Sequence, residues 1–317
     1  MMKTDVSDKN TTAPSRRAVL ASALGGAAAL KLGLATPAAA ATGALSASDL
    51  PGGLTLISGA GANVVAAPGK GGAVLVDCGL APHADEVMAL AAARTKSKGV
   101  ATLFNTCWRL EQTGGNDALA AKGAKIFAHE NTKLWMGAEI PSAWENKVYP
   151  PRAPAARPTE TFYTTGALPE GADKIDYGYL LQAHTDGDMY VFFRKPNVLV
   201  VGGAVAAKGW PVIDTATAGF IGGHVRGLET LGKLADDKTV IVTADGQTTK
   251  ADLVKQQAMY MAIIGKLQTC MESGFGLAQV LQSAPAADYV AERGDATQFV
   301  TLAFRSLWGH VRQFKAI

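Results

Sequence analysis

Short apolar runs broken by glycine, proline and polar turns fill the first two thirds of the chain, and helical periodicity takes over beyond them. Thr55 to Ile57, Asn63 to Ala67 and Ala73 to Asp77 have the length and flanks of strands and predict a β-meander. Gly59-Ala60-Gly61 between the first two reads as a hairpin turn without the context of a phosphate loop. Asp77-Cys78-Gly79 closes the third strand. His83 to Ala93 carries apolar residues at helical spacing, and Gly99 to Asn105 predicts a further strand. A helix over Asn116 to Lys122 ends at Gly123, followed by a strand over Ala124 to His129 and a short helix over Glu130 to Met136.

From Gly137 to Pro158 the periodicity stops. Pro141, Pro150, Pro151, Pro154 and Pro158 predict a long irregular loop, with Trp135, Trp144 and Tyr149 supplying aromatic surface. Loops of this length serve as lids or binding segments, or form ordered surface excursions. A second set of strands is expected over Thr161 to Thr165, Lys174 to Leu181, Met189 to Arg194 and Val198 to Val201. A helix over Leu228 to Ala235 and a strand over Val240 to Thr243 follow. Lys250 to Ile317 is mostly helical, with breaks at Gly274, Pro285 and Gly294. Strands and helices in this order fit an α/β fold with two sheets between helical layers.

Residues 1–41 are set apart. Arg16-Arg17 precedes a mildly apolar Ala/Gly-rich run and then Thr36-Pro37-Ala38-Ala39-Ala40-Ala41, the pattern of a twin-arginine export signal with a cleavage site. Lys31 and the low hydrophobicity of the run argue against a transmembrane anchor, so a periplasmic or secreted protein with no membrane anchor after cleavage is expected. The chain of 317 residues, 48% hydrophobic and 18% charged, is long enough for a sizeable core. A formal net charge of +3 without a basic block gives no support to nucleic-acid or anionic-membrane binding. Three cysteines, Cys78, Cys107 and Cys270, do not make a disulfide framework.

The candidate chemistry lies in Asn105 to Asn116, where Cys107, Arg109, Glu111 and Gln112 precede Thr113-Gly114-Gly115-Asn116. Together with Val74-Leu75-Val76-Asp77, the Ala183-His184-Thr185-Asp186-Gly187-Asp188 run and Val198 to Gly203, this order of motifs resembles the metallo-β-lactamase superfamily. Ala128 to Thr132, Ile213-Asp214 to Gly223 and Leu277 to Asp288 match segments of its exported members. The resemblance implies an αββα sandwich over residues 42–249, with a helical C-terminal extension over 250–317 packed on the same domain. It also implies hydrolase-like chemistry at the His-x-His-x-Asp-His positions. Those positions hold Cys107, Arg109, Glu111 and Gln112 here; His184 keeps its place, Gly203 falls where a bridging Asp is expected, and Asp245 stands at the last His.

Two zinc ions need anionic or imidazole ligands and a bridge between them. Arg109 has no lone pair to give and Gly203 has no carboxylate, so a dinuclear centre is not expected. Three readings remain open. One ion, zinc, can be held by Cys107, Glu111, His184 and Asp245. Cys107 and His184 can act as a metal-free nucleophile and base, with Arg109 on a substrate carboxylate or oxyanion. Or the cleft is non-catalytic, a binding or accessory protein held by an Arg109–Glu111–Asp245 ion-pair cluster, open to a small anionic or aromatic ligand. The expected function is therefore an exported hydrolase-like protein whose dinuclear zinc site is largely lost, with residual or altered activity at most. Among other residues, Asp77 is expected to support the Asn105-Thr106 loop and Cys78 to be buried. His129 is expected to be structural, His224 to lie at a helix-start surface, Tyr260, Met261 and Met271 to be core, and Arg293 to be solvated.

Overall fold

The computed structural model describes residues 44–170 and 173–315. The expected twin-arginine leader lies outside them. Strands β1 (Ser46–Asp49), β2 (Thr55–Ser58), β3 (Val64–Ala67) and β4 (Ala73–Val76) form the antiparallel start of the first sheet. Helix α1 (Ala84–Thr95) leads to β5 (Val100–Phe104), which pairs parallel with β4. Two short helices, α2 (Leu110–Thr113) and α3 (Asn116–Ala121), precede β6 (Lys125–His129) and α4 (Glu130–Met136). β7 (Ile140–Ser142) and β8 (Lys147–Tyr149) pair as a separate hairpin, and β9 (Glu160–Phe162) completes the first sheet beside β6.

The second sheet runs β10 (Thr165–Glu170), β11 (Asp173–Tyr179), β12 (Met189–Phe193), β13 (Val198–Gly202), β14 (Val240–Thr243) and β15 (Gln247–Thr248), with α5 (Ile221–Leu234) crossing between β13 and its parallel neighbour β14. Helices α6 (Lys250–Glu272), α7 (Leu277–Gln282), α8 (Val290–Arg293) and α9 (Thr297–Lys315) follow. A reciprocal cap starts α6: Thr249 Oγ1 accepts from the Asp252 amide and Asp252 Oδ2 accepts from the Thr249 amide, each at 3.2 Å.

Strand alternation builds the layers. Val198 and Val200 of β13, with Met189, Val191 and Phe193 of β12, face inward and meet Leu56, Val65, Val74, Val76 and Phe104 of the first sheet. Their neighbours Leu199, Val201, Tyr190 and Phe192 face outward, under Leu228 and Leu231 of α5, Tyr260 and Ile263 of α6 and Phe299 and Ala303 of α9. On the opposite side Val87 and Ala91 of α1 and Leu119 of α3 cover Ile57, Val64, Leu75, Leu103 and Ile126. This is the αββα sandwich, and the C-terminal helices share one apolar cluster with the second sheet. No helix among the described residues is long and apolar enough to cross a membrane.

Four expectations change. β1 was not anticipated; its residues are mostly exposed and lack an apolar run. The Pro-rich segment is not irregular throughout, since Ile140–Ser142 and Lys147–Tyr149 form the hairpin. The single strand expected over Thr161 to Thr165 is two: the chain leaves the first sheet at Phe162 and enters the second at Thr165. Helix α5 starts at Ile221 rather than Leu228, because Gly223 is packed too closely against the Gln182 carbonyl for any side chain, and its poor helical propensity is overridden by packing.

Candidate functional site

The cleft opens where β4, β5 and β13 end, and buried polar residues fix its floor. Asp77, at positive φ (60°), follows β4 and accepts from the Thr106 amide and Thr106 Oγ1, both at 2.7 Å. Burial pushes this carboxyl up to about 7, against those two hydrogen bonds, which favour its charged form. Asn105 and Asn116 bond each other reciprocally at 3.1 and 2.9 Å, and the Cys78 thiol donates to Asn116 Oδ1 at 3.2 Å. Across the cleft, Asp188 accepts from the Thr185 amide at 2.7 Å and from Thr185 Oγ1 at 2.9 Å. Gly202, at the end of β13 with φ of 53°, lies so close to Thr106 that a Cβ would collide with its Oγ1.

Arg109 stands at the head of α2 and is 7% exposed. Its guanidinium forms a two-pronged bond to Glu145, Nη2 to Oε1 at 2.6 Å and Nη1 to Oε2 at 3.3 Å. Asp214 Oδ2 lies 3.7 Å from Nη1 and Glu111 Oε2 3.6 Å from Nε. The rings of Trp108, Trp144 and Tyr149 surround it, with centroids at 5.5, 5.3 and 5.9 Å. Glu145, in the turn of the β7–β8 hairpin, also accepts from Ser142 Oγ at 2.7 Å and Tyr149 Oη at 2.9 Å. Burial alone would lower the pKa of Arg109, but the Glu145 bond and the charges of Glu111, Glu145 and Asp214 outweigh it and raise it. Burial likewise opposes ionisation of Glu145, and the Arg109 bond overcomes it, holding Glu145 below the usual carboxylate range. Asp214 is buried, accepts from the Ala216 amide at 3.2 Å and Thr217 Oγ1 at 2.9 Å, and its own amide donates to the His184 carbonyl at 2.8 Å.

Cys107 and His184 do come together. With Asp188 they offer ligand atoms within 4.8 Å of one another, all buried. Burial, then the charges of Asp188 and Asp77, push the Cys107 thiol well above its ordinary range, the opposite of an activated thiolate. His184 Nδ1 stands 3.5 Å from Asp188 Oδ1 and makes no hydrogen bond among the described residues. Gly203 leaves room for that imidazole: a Cβ there would sit 2.9 Å from Nδ1.

Glu111 and Asp245 lie apart from this trio. Glu111 is at the rim, turned to Arg109. Asp245 spends both oxygens on the Ala207 and Lys208 amides, each at 2.9 Å, and accepts from Thr243 Oγ1 at 2.6 Å. The ion-pair cluster expected as Arg109–Glu111–Asp245 is thus built with Glu145 and Asp214 instead, with Glu111 at its edge. Asp188 was likewise absent from the sequence reading of the metal candidates. His224 is buried rather than at a helix-start surface; its ring nitrogens face the Ala204 and Val212 carbonyls at 3.1 and 3.3 Å, and burial, then His184, push it down to about 4. Met261 is exposed rather than core, and the Arg293 side chain is buried rather than solvated, donating to the Gly209 carbonyl at 3.3 Å.

The sequence profile of the metallo-beta-lactamase superfamily matches residues 59–255. The chain belongs to this superfamily. Among solved structures it resembles a metallo-beta-lactamase from Pontibacter korlensis, at 17% identity and TM-score 0.56, over 69% of this chain and 99% of that one. DIM-1 metallo-beta-lactamase is similar at 16% identity and TM-score 0.55, over 69% and 98% of the two chains. The stereoselective inverting sec-alkylsulfatase Pisa1 from Pseudomonas sp. shares 13% identity at TM-score 0.62, over 84% of this chain and 50% of that one. No curated protein matches by sequence. As a metallo-β-lactamase superfamily member the chain has the hydrolase-type fold, and Cys107, Arg109, Glu111 and Gln112 occupy the loop where the motif resemblance places the metal ligands.

Proposed function

We propose that this is an exported metallo-β-lactamase-fold protein that has replaced the pair of zinc ions with an internal cation and binds a small molecule in the cleft, with residual or altered hydrolase activity at most. The observation that carries this reading is the burial of the Arg109 guanidinium between Glu145, Asp214 and three aromatic rings. A guanidinium has no lone pair for a metal, and its charge neutralises carboxylates that an ion would otherwise need to hold. Gly203 supplies no bridging carboxylate, and Asp245 has both oxygens occupied by backbone amides. The donor set therefore does not fit two zinc ions. Cys107 is not the nucleophile in this reading, since burial keeps its thiol protonated. The work of the chain's residues is to shape a cleft, orient a ligand and exclude water.

One observation favours a second reading, a single metal ion at Cys107, His184 and Asp188: their donor atoms converge, and His184 Nδ1 has no hydrogen-bond partner among the described residues. Such an ion would bind a thiolate, an imidazole and a carboxylate, a donor set that zinc accepts. Against it, both Asp188 oxygens already accept from Thr185. Elemental analysis of protein matured in an exporting cell tests both. The first reading expects far less than one zinc per chain and no rise in melting temperature on adding zinc. One zinc lost in Cys107→Ala would support the second, and two zincs would overturn both.

A further inference from the structure

The cleft in front of Arg109 has a volume of about 230 Å³, and its walls are Trp144, Trp210, Pro211, Val205 and Val212 on the apolar side, with Gln112 and His184 at its floor. Two of the lining residues carry a buried polar atom with no hydrogen-bond partner among the described residues: Gln112 Oε1 and His184 Nδ1. Gln112 is 4% exposed, as is His184. An amide oxygen buried without a donor keeps its desolvation penalty uncompensated, so an occupant that supplies an N–H or O–H is favoured at this place. An amide oxygen only accepts, which fixes the polarity of the match. The imidazole can donate or accept according to its tautomer and so can follow the same head group.

Charge narrows the class. Arg109 is the only Lys or Arg among the residues lining the cleft, and Glu145 and Asp214 already face its guanidinium. Glu111 and Asp245 line the same walls. An entering carboxylate would meet a cation already paired and two acids at the walls, whereas an uncharged head meets neither penalty. The sequence reading left anionic and aromatic ligands open together; the geometry separates them.

We infer that the cleft takes a small uncharged amphiphile, an apolar or aromatic body bearing a hydroxyl or amide hydrogen-bond donor that Gln112 Oε1 accepts, and that it discriminates against carboxylates. This rests on the reading of the cleft as a zinc-free binding site and names its ligand class. Trp144 and Trp210 supply flat apolar surface for the body, and the donor reaches the floor.

The test is calorimetric titration of the full mature protein with three probes of one body: 2-phenylethanol, which donates; its methyl ether, which only accepts; and phenylacetate, which is anionic. The alcohol is expected to bind tightest, the ether about fivefold more weakly for the lost hydrogen bond, and phenylacetate tenfold or more below the alcohol. Gln112→Met, which keeps length and removes Oε1, is expected to bring alcohol and ether to equal affinity. Phenylacetate binding as tightly as the alcohol, no difference between alcohol and ether, or no binding by any of the three would overturn the inference. Should Gln112→Met fail to fold, the ranking on the unaltered protein still decides. Zinc content is read on the same preparation. A zinc-poor protein that prefers phenylacetate loses only the ligand class, whereas two bound zincs remove the binding-site reading beneath it.

Discussion

Asp77 and Glu145 are two buried carboxylates of one cleft, and the fold treats them in opposite ways. Asp77 is held by neutral donors, the amide and hydroxyl of Thr106, and burial raises its pKa to about 7. Glu145 is held by a guanidinium, and its pKa falls below that of an ordinary glutamate. Asp188 repeats the first arrangement with Thr185, and Asp214 shares the second with Arg109. The first pair fixes two loops through the amide and hydroxyl of a threonine each, without any charged partner among those donors. The second joins Arg109 to two distant segments, the β7–β8 hairpin through Glu145 and the turn that follows Asp214. Acids held by neutral donors support the loops around the cleft, whereas acids held by the guanidinium stand or fall with Arg109.

This contrast is open to attack by pH. The folded state holds the Asp77 proton more tightly than the unfolded chain, so Asp77 contributes stability at pH 4 that is lost as pH rises through about 7. By the usual conversion that loss is on the order of 4 kcal/mol, and Asp77→Asn should remove it. Denaturant unfolding of both proteins from pH 4 to 8 should show the difference narrowing or reversing in favour of the variant with rising pH; parallel curves would break the contrast. Glu145 acts with the other sign: its contribution is present above the ordinary glutamate range and is lost on acidification. Stability should accordingly decline again below pH 4.5.

A somewhat smaller effect is expected from Glu145→Ala, which strips the two-pronged partner from a buried cation. The cost should be about 3 kcal/mol in urea unfolding, at the low end for such a truncation because Asp214 and Glu111 remain. Replacing both residues with Arg109→Met and Glu145→Met should cost less than the sum of the single changes, and strict additivity would show that the two are not coupled. Next comes Gly203→Asp, which places a carboxylate where the motif resemblance expects a bridging one. Its Cβ would lie 2.9 Å from His184 Nδ1, so about 1–3 kcal/mol should be lost. Zinc should not recover that loss while Arg109 stays, as a melting curve with and without zinc would show. The smallest effect belongs to Glu111→Ala. Its side chain is 38% exposed, and a rim pair of this kind contributes about 0.5 kcal/mol or less.

Much of the frame was legible because short, nearly continuous apolar runs bounded by glycine, proline and polar turns mark β2 to β6 and β12 to β14 as buried strands. The motif order gave the αββα arrangement, and the Asn105–Asn116 spacing located Arg109. The partners of Arg109 were not legible. Glu145 lies in a hairpin hidden by proline content, and Asp214 sits in a one-turn segment that reaches the cleft through a backbone bond to the His184 carbonyl. Glu145 is one of only two carboxylates between Gly137 and Pro158, flanked by Trp144, and that pairing of acid with aromatic was the available signal. Asp245 looked eligible by position alone; no spacing rule reveals that two amides of the 207–208 turn have already taken its oxygens.

The glycine at residue 202 has a reach beyond its own turn. Thr106 belongs to the first sheet's side of the cleft and Gly202 to the second, and only a hydrogen stands between them. Even an alanine there would act as a shim between the two halves of the sandwich, widening the mouth for every occupant at once, so the aperture of this protein is gauged by an atom it does not have.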